Sequence, residues 1–487
     1  MDLDLLLADF DGYEAASRRN ANWLARQTAR ASAYSSLDDL ADEQGSDLEV
    51  DATWRRSFEH NLRWLRGGLA RTFIRNGCFV GSSVIDEMIF EAVAGGVADV
   101  AAAVFDAIIR LGLHNPGMIV FPLHGFGIAV AKTALVGGPD HLLQMASAGF
   151  IVISQTGDIR KTIELLDAGR APLGIVHAFD AKGVSQYAAG DRLDWLHRNP
   201  LLAFRFSSYS HQPYENQAFY QLRMRTLTAL IFVASLYAPA RKGEMDTRIV
   251  NNQETLDIDH YLRLEVSPSL SRLEVERIPR NVDRLALAEA SDVDVRISLA
   301  GWEALAASGD LDRTYAMLMQ IETGYLTHQV LKRRKGREAS LYSKITTSLD
   351  YFRRSFRTET RQSERTISLA IAFETLLTDS YSGGVTARIR RRVAICLEME
   401  AEPAELIEAV EDLFDARGKF VHSGLGPEDL PLRDARMAYV ACLSTVTRLA
   451  QGATLSDPMI GTLLGDRPTV HPFPIRLRRA WATLLGR

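Results

Sequence analysis

The chain has 487 residues, 47% apolar and 24% charged, with 34 Gly and 16 Pro. At roughly 100–200 residues per domain this suffices for several cored domains, and it excludes a disordered, collagen-like or disulfide-stapled chain. A net charge of −5 excludes a uniformly basic nucleic-acid coat, so any such contact needs a local patch.

Cys78, Cys396 and Cys442 form neither a CxxC zinc pattern nor a disulfide framework, which fits a reducing cytoplasm. The N-terminus, MDLDLLLADFDGYE, is acidic where a signal peptide would be basic. The apolar stretch 89–109 contains Glu91, Asp99 and Asp106, and 117–136 contains Pro122, His124 and Lys132. Neither is a clean span of about 18 apolar residues, so both read as buried core and no membrane association is expected.

In chain order, the first 50 residues carry 11 acids against 4 arginines. Helix-like stretches are expected over Tyr13 to Ala31, then a polar break at Ser35–Asp47. Trp54, Phe58, Leu62, Leu65 and Leu69 recur at three and four, an amphipathic helix. Residues 81–112 read as one Ala-rich helix, apolar on most sides and deeply buried. Gly117 to Phe121 and Gly149 to Ser154 suit buried strands, alternating with helices over 156–168 and 215–238. Between 257 and 300 the period changes to two, through Leu262, Leu264 and Val266, then Leu273, Val275 and Ile278, then Val293 to Leu299. These are half-buried strands, expected to be antiparallel.

From Trp302 to about 451 the chain reads as helical. Its segments are Leu341–Phe356, Glu364–Thr378, a short helix over 386–398, Pro403 to about Lys419, and Leu432–Leu449. Short connections argue an antiparallel four-helix bundle. The remainder, 452–487, is rich in Gly and Pro and ends in a basic amphipathic piece, Ile475 to Leu485.

Two charges interrupt this module's apolar logic. Glu374 has Ala370, Phe373 and Leu377 as face neighbours, and Arg417 stands where the seam Leu406, Val410, Leu413/Phe414 would continue. A charge on a seam is costly unless it is paired or faces a wet groove. His422 follows five residues after Arg417, expected just past the helix end. The bare Arg-x4-His spacing is uninformative: it also occurs at Arg55/His60 and Arg192/His197, and this composition gives roughly one match by chance.

Context separates the third match. ISLAIAFETLLTD at 367–379, ARIRRRVAICLE at 387–398 and ELIEAVEDLFDARGKFVHSG at 405–424 together resemble the Apea-like branch of the HEPN superfamily. The resemblance covers 301–451 and is specific over about 60 residues of it. It implies an all-helical HEPN bundle, usually dimeric, whose active members are metal-independent endoribonucleases. It also implies that Arg417 and His422 are catalytic, with Glu374 supporting them and no cofactor. One departure is Gly418, where ribonuclease members often carry a polar residue; with it goes a second reading, a non-catalytic HEPN scaffold for dimerisation or RNA binding. A third reading places an unrecognised enzyme in the first 250 residues, with the helical module as accessory.

Local charge favours an RNA-facing surface. Residues 332–365 hold eleven basic residues and four acids, and Arg388, Arg390, Arg391 and Arg392 add a second cluster. Arg353, Arg354, Arg357, Arg390, Arg391 and Lys419 are expected to face RNA. The opposite reading is a solvated face balanced by the acidic N-terminus. Among weaker candidates, His124 in an apolar Gly-rich loop reads as a core histidine rather than a ligand contact, and His177 with Asp180 and His197 with Asp194 lack a third partner at metal spacing.

The expected fold is therefore α+β, mostly α. A regulatory or sensing region spans 1–256, a β-rich segment 257–300, the HEPN bundle 301–451 and a tail 452–487. The expected partners are tRNA or mRNA, a second copy of the chain, and a phage or regulatory protein as trigger, as in toxin-like abortive-infection effectors.

Overall fold

The structure, a computed structural model, describes residues 2–42, 48–112, 117–123, 126–131, 142–145, 149–178, 180–190, 195–238, 244–246, 260–267, 272–279, 293, 295–331, 337–357, 361–379, 384–398, 400, 402–424, 430–452 and 460–466. It is mostly helical. The N-terminal helices are α1 (Leu3–Tyr13), α2 (Ala15–Ala25), α3 (Thr28–Ala31), α4 (Leu37–Asp42), α5 (Leu48–Arg75), α6 (Ser82–Ala94) and α7 (Val100–Arg110).

One N-terminal expectation needs correction, the single helix read over 81–112. The helix-like stretches read over Tyr13 to Ala31 are α2 and α3, and α2 is set off from α1 at Glu14, which takes φ −121° and ψ 39°. Glu14 is buried, and its carboxylate pairs with Arg71 and, at 3.1 Å, with Arg75 of α5. A tertiary ion pair thus sets a break that helical periodicity does not show. The single helix read over 81–112 is α6 and α7. Gly96 leaves α6 in the left-handed region (φ 74°), and Asp99 caps α7 by accepting from the Ala102 N–H at 3.0 Å. The amphipathic stripe of α5 behaves as read: Trp54, Phe58, Leu62, Leu65 and Leu69 are all buried.

The strands are β1 (Phe79–Val80), β2 (Gly117–Pro122), β3 (Gly127–Ala131), β4 (Leu142–Met145), β5 (Phe150–Ile153), β6 (Leu201–Phe206), β7 (Ser208–Tyr209), β8 (Glu244–Asp246), β9 (His260–Ser267), β10 (Arg272–Pro279) and β11 (Arg296–Ser298). Six of them form one antiparallel sheet in the order β10-β9-β2-β6-β5-β4. The period-two segment therefore joins the first region's sheet through β9 and β2. β11 departs from the antiparallel expectation by pairing in parallel with β3, and the helical stretch starts at Leu299. Both faces of the large sheet are covered. Ile119, Phe121, Phe150, Val152, Leu202 and Phe204 enter the main core. Met118, Val120, Ile151, Ile153, Leu201 and Ala203 enter a second core with Ile163 and Leu166 of α8 (Ile159–Arg170) and Val184 of α9 (Ala181–Gly190). Burial on both faces explains strands that read as unbroken apolar runs.

After α10 (Trp195–Arg198), α11 (Pro213–Tyr237) runs into the C-terminal half. There follow α12 (Leu299–Ser308), α13 (Asp310–Tyr325) with a π-helical turn at Leu326–Val330, α14 (Arg337–Arg354), α15 (Gln362–Leu377), α16 (Val385–Leu397), α17 (Pro403–Ser423), α18 (Arg433–Gly452) and α19 (Ile460–Leu463). α14 packs on α15 and α18, and α17 packs on the same two, with α16 beside α17 and α18. At the bundle centre the Tyr439 hydroxyl is 2.7 Å from Ser348 Oγ, which donates to the Ala372 carbonyl at 2.7 Å, and the Tyr439 ring stacks on Phe352. Cys442 contacts Cys396 here; burial, then that neighbour, push its thiol well above its usual value. α11 packs on α13, α14 and α18, and its Arg223 meets Glu322 of α13 in a buried ion pair. No helix among the described residues is long and apolar enough to cross a membrane.

Candidate active site

α17 starts at Pro403, whose missing N–H costs nothing in the first turn. It turns Val410, Leu413, Phe414 and Ala416 inward. Arg417 continues that seam, three residues after Phe414 and four after Leu413. On α15, Glu374 neighbours Ala370, Phe373 and Leu377, all fully buried. Phe373 and Phe414 meet edge to face with centroids 6.3 Å apart. With the helices set by that contact, Arg417 Nη2 and Glu374 Oε1 lie 3.2 Å apart, and the side chains are 34% and 27% exposed. Partial exposure and pairing together make two charges tolerable on apolar seams. The other Arg417 N–H groups have no acceptor among the described residues.

His422 is not past the helix end. It lies in the last turn of α17, which runs to Ser423 and closes with Gly424 in the left-handed region (φ 71°), the Gly424 N–H donating to the Phe420 carbonyl at 2.9 Å. Five helical residues rotate a side chain by roughly 140° and advance it about 7.5 Å. Within one chain, therefore, His422 and Arg417 do not share a face. His422 stands over Gly418, four residues earlier, where an added Cβ would meet nothing within 4 Å. His422 and Lys419 are exposed, and neither side chain has a partner among the described residues.

The arginines expected to face RNA divide. Arg353 is a correction: it is only 4% exposed and lies 3.5 Å from Asp350, because the α14 face carrying Leu349 and Phe352 takes it inward. Arg354 is half-buried over Tyr351, and Arg357 is half-buried. On α16, Arg390 pairs with Asp415 at 2.8 Å and Arg391 with Asp466 at 2.7 Å. Buried Arg392 bridges Asp466 and Asp379, at 2.8 and 3.1 Å. Hydrogen bonds from Arg391 and Arg392 hold the Asp466 carboxyl down at about 2. Asp379 also accepts the Ile460 and Gly461 N–H groups at 2.5 and 3.2 Å. Arg391 and Arg392 thus clamp the 460–466 segment, and Arg390 is paired with α17, so these three are not a free basic patch. Asp466 escaped the sequence reading because it lies 74 and 75 positions from its arginines.

Lys332 to Lys335, Ile475 to Leu485, His124 and Asp194 lie outside the described residues. Among the described residues, no group of three or more His, Cys, Asp or Glu side chains could hold a metal ion. The chain has no significant match among protein-family models, curated proteins or solved structures.

Proposed function

We propose that the chain is a metal-independent endoribonuclease of HEPN type, acting in the cytoplasm as a regulated, toxin-like effector. The observation that carries the reading is the Arg417–Glu374 pair, a half-exposed guanidinium oriented by a carboxylate on an otherwise apolar seam. In the reaction the RNA 2′-hydroxyl loses its proton and attacks the adjacent phosphate. The 5′-oxygen then leaves with a proton, giving a 2′,3′-cyclic phosphate and a 5′-hydroxyl. Imidazole exchanges protons near neutral pH, and a guanidinium fits the charge developing on the phosphorane.

One chain supplies one such histidine, on a different face from its arginine, so the site is completed by a second copy. Apolar surface beside the pair supports this. Val421, four residues after Arg417, is 53% exposed. Ile371 and Ile367, three and seven residues before Glu374, are half-exposed. The same divergence of Arg417 and His422, with Gly418 between them, favours the second reading, a non-catalytic HEPN scaffold. Incubating the purified protein with total RNA in EDTA and analysing the product ends separates the two. Cyclic phosphate and 5′-hydroxyl ends are expected; intact RNA at micromolar protein rejects the ribonuclease.

A further inference from the structure

Far along the chain from Arg417, the end of α5, the β5–β6 edge, α13 with its π-helical turn, α14 and α18 enclose a cleft of about 1090 Å3. This is slightly above the roughly 300–1,000 Å3 usual for small-molecule sites. Among the described residues four arginines line it, Arg71, Arg75, Arg205 and Arg223, and no aspartate or glutamate does. Three of the four are matched from behind the wall: Arg71 by Glu14, Arg75 by Asp9 and Glu14, and Arg223 by Glu322.

Arg205 is not matched. It sits on β6 between buried Phe204 and Phe206, half-buried itself, with no side-chain hydrogen bond or ion pair among the described residues. Its Nε is shielded from water and has no acceptor. Burial lowers its pKa, and only the Cys78 thiol opposes this. The chain also makes room for its guanidinium: a Cβ at Gly174 (φ 65°) would come within 3.2 Å of Nη1. A half-buried cation without a counterion destabilises the empty protein. A second unmet group lines the same cleft. Thr327 is 2% exposed and its Oγ1 has no partner. It belongs to the π-helical turn, a distortion that recurs at functional sites. Beside it, His328 stacks on Tyr342 with centroids 5.3 Å apart, and both rings line the cleft.

We propose that this cleft binds a phosphorylated small molecule, with Arg205 as its anion contact and Thr327 Oγ1 as a second polar contact. The chemistry follows from the walls: one guanidinium left without an acceptor among the described residues, beside three paired arginines, and a half-buried His328 ring stacked on buried Tyr342. A phosphate supplies the missing acceptors in a forked geometry that an arginine matches.

The test is thermal unfolding of the full chain with pyrophosphate, AMP or ATP, each up to about 10 mM at constant ionic strength, since a ligand bound only by the native state raises Tm saturably. At least one probe is expected to do so. Arg205→Met should weaken that response tenfold or more and leave the Tm of the empty protein unchanged or higher, because an uncompensated cation is removed. Thr327→Val, which keeps the shape, should weaken it severalfold. A response to pyrophosphate equal to that for ATP assigns the site to the phosphate group alone; a stronger response to AMP or ATP assigns it to a nucleotide. No rise with any probe, or an equal rise in Arg205→Met, overturns the proposal. Should Arg205→Met not fold, Arg205→Lys keeps the charge without the fork, and unchanged binding there overturns it as well.

Discussion

Phe373 and Phe414 meet with their ring planes at 62°, and the residue after Phe373, Glu374, pairs with Arg417, about one helical turn after Phe414. The aromatic contact fixes how α15 and α17 lie against each other, and the ion pair inherits that geometry. Packing thereby positions the one guanidinium of the candidate site, as precise sites built on helices require.

Glu374→Gln keeps the shape and removes the charge that orients Arg417. Cleavage should fall by about 10–100-fold, the usual effect of losing a positioning partner. Stability should change little, since a partly exposed ion pair contributes about 0.2–1 kcal/mol. RNA cleavage rates and melting curves on the same preparation check this, and a variant that melts much earlier but cuts normally would reverse the assignment.

His422→Ala should lower cleavage by roughly 10²–10⁴-fold, the range for general acid–base groups. The fold should be unaffected because the side chain is exposed. Mixing His422→Ala with Arg417→Ala tests the shared site. A mixed dimer retains one arginine facing one histidine, so activity should return on mixing two inactive proteins. Activity that stays absent, or a fully active monomer, rejects a site shared between copies.

Glu322 is fully buried, and both its oxygens accept from Arg223 Nε, at 2.8 and 2.9 Å, while Thr226 Oγ1 donates to it at 3.1 Å. Breaking such a pair from one side strands a buried cation. Glu322→Ala should therefore cost about 3–5 kcal/mol in denaturant unfolding. Replacing both residues with apolar ones of similar size, Glu322→Leu with Arg223→Met, should recover most of the loss. A double variant no better than the single would show that the pair itself supplies the stability.

Asp466 gives a pH dependence. Hydrogen bonds from Arg391, then Arg392, hold its carboxyl at about 2, below the ordinary 3.8. The folded protein thus binds this proton less readily than the unfolded chain. The stabilisation is complete above about pH 4 and is lost as the pH falls towards 2. Asp466→Asn should lower stability at neutral pH and flatten the acid limb of a Tm-against-pH curve. An unchanged acid limb would show that Asp466 contributes nothing to acid unfolding.

Much of the helical module was legible in the sequence, because a helix announces itself within a few turns. The seam of Val410, Leu413 and Phe414, the broken position at Arg417 and the apolar neighbours of Glu374 are local patterns, as are the two-sided runs of β2 and β5. Tertiary structure decided where charges go. Glu14 ends α1 because Arg71 and Arg75 of α5 hold its carboxylate. Arg391 and Arg392 are neutralised by an acid 74 or more positions away, so a run that reads as an RNA patch becomes a clamp. Arg353 turns inward with its helix face, and a helix that continues four residues beyond Lys419 rotates His422 away from Arg417. Arg205 is unremarkable among 48 arginines until the fold withholds its counterion. Periodicity is written in neighbouring residues, whereas a charge's partner is chosen by the packing of distant elements, and a single sequence records that only after it has folded.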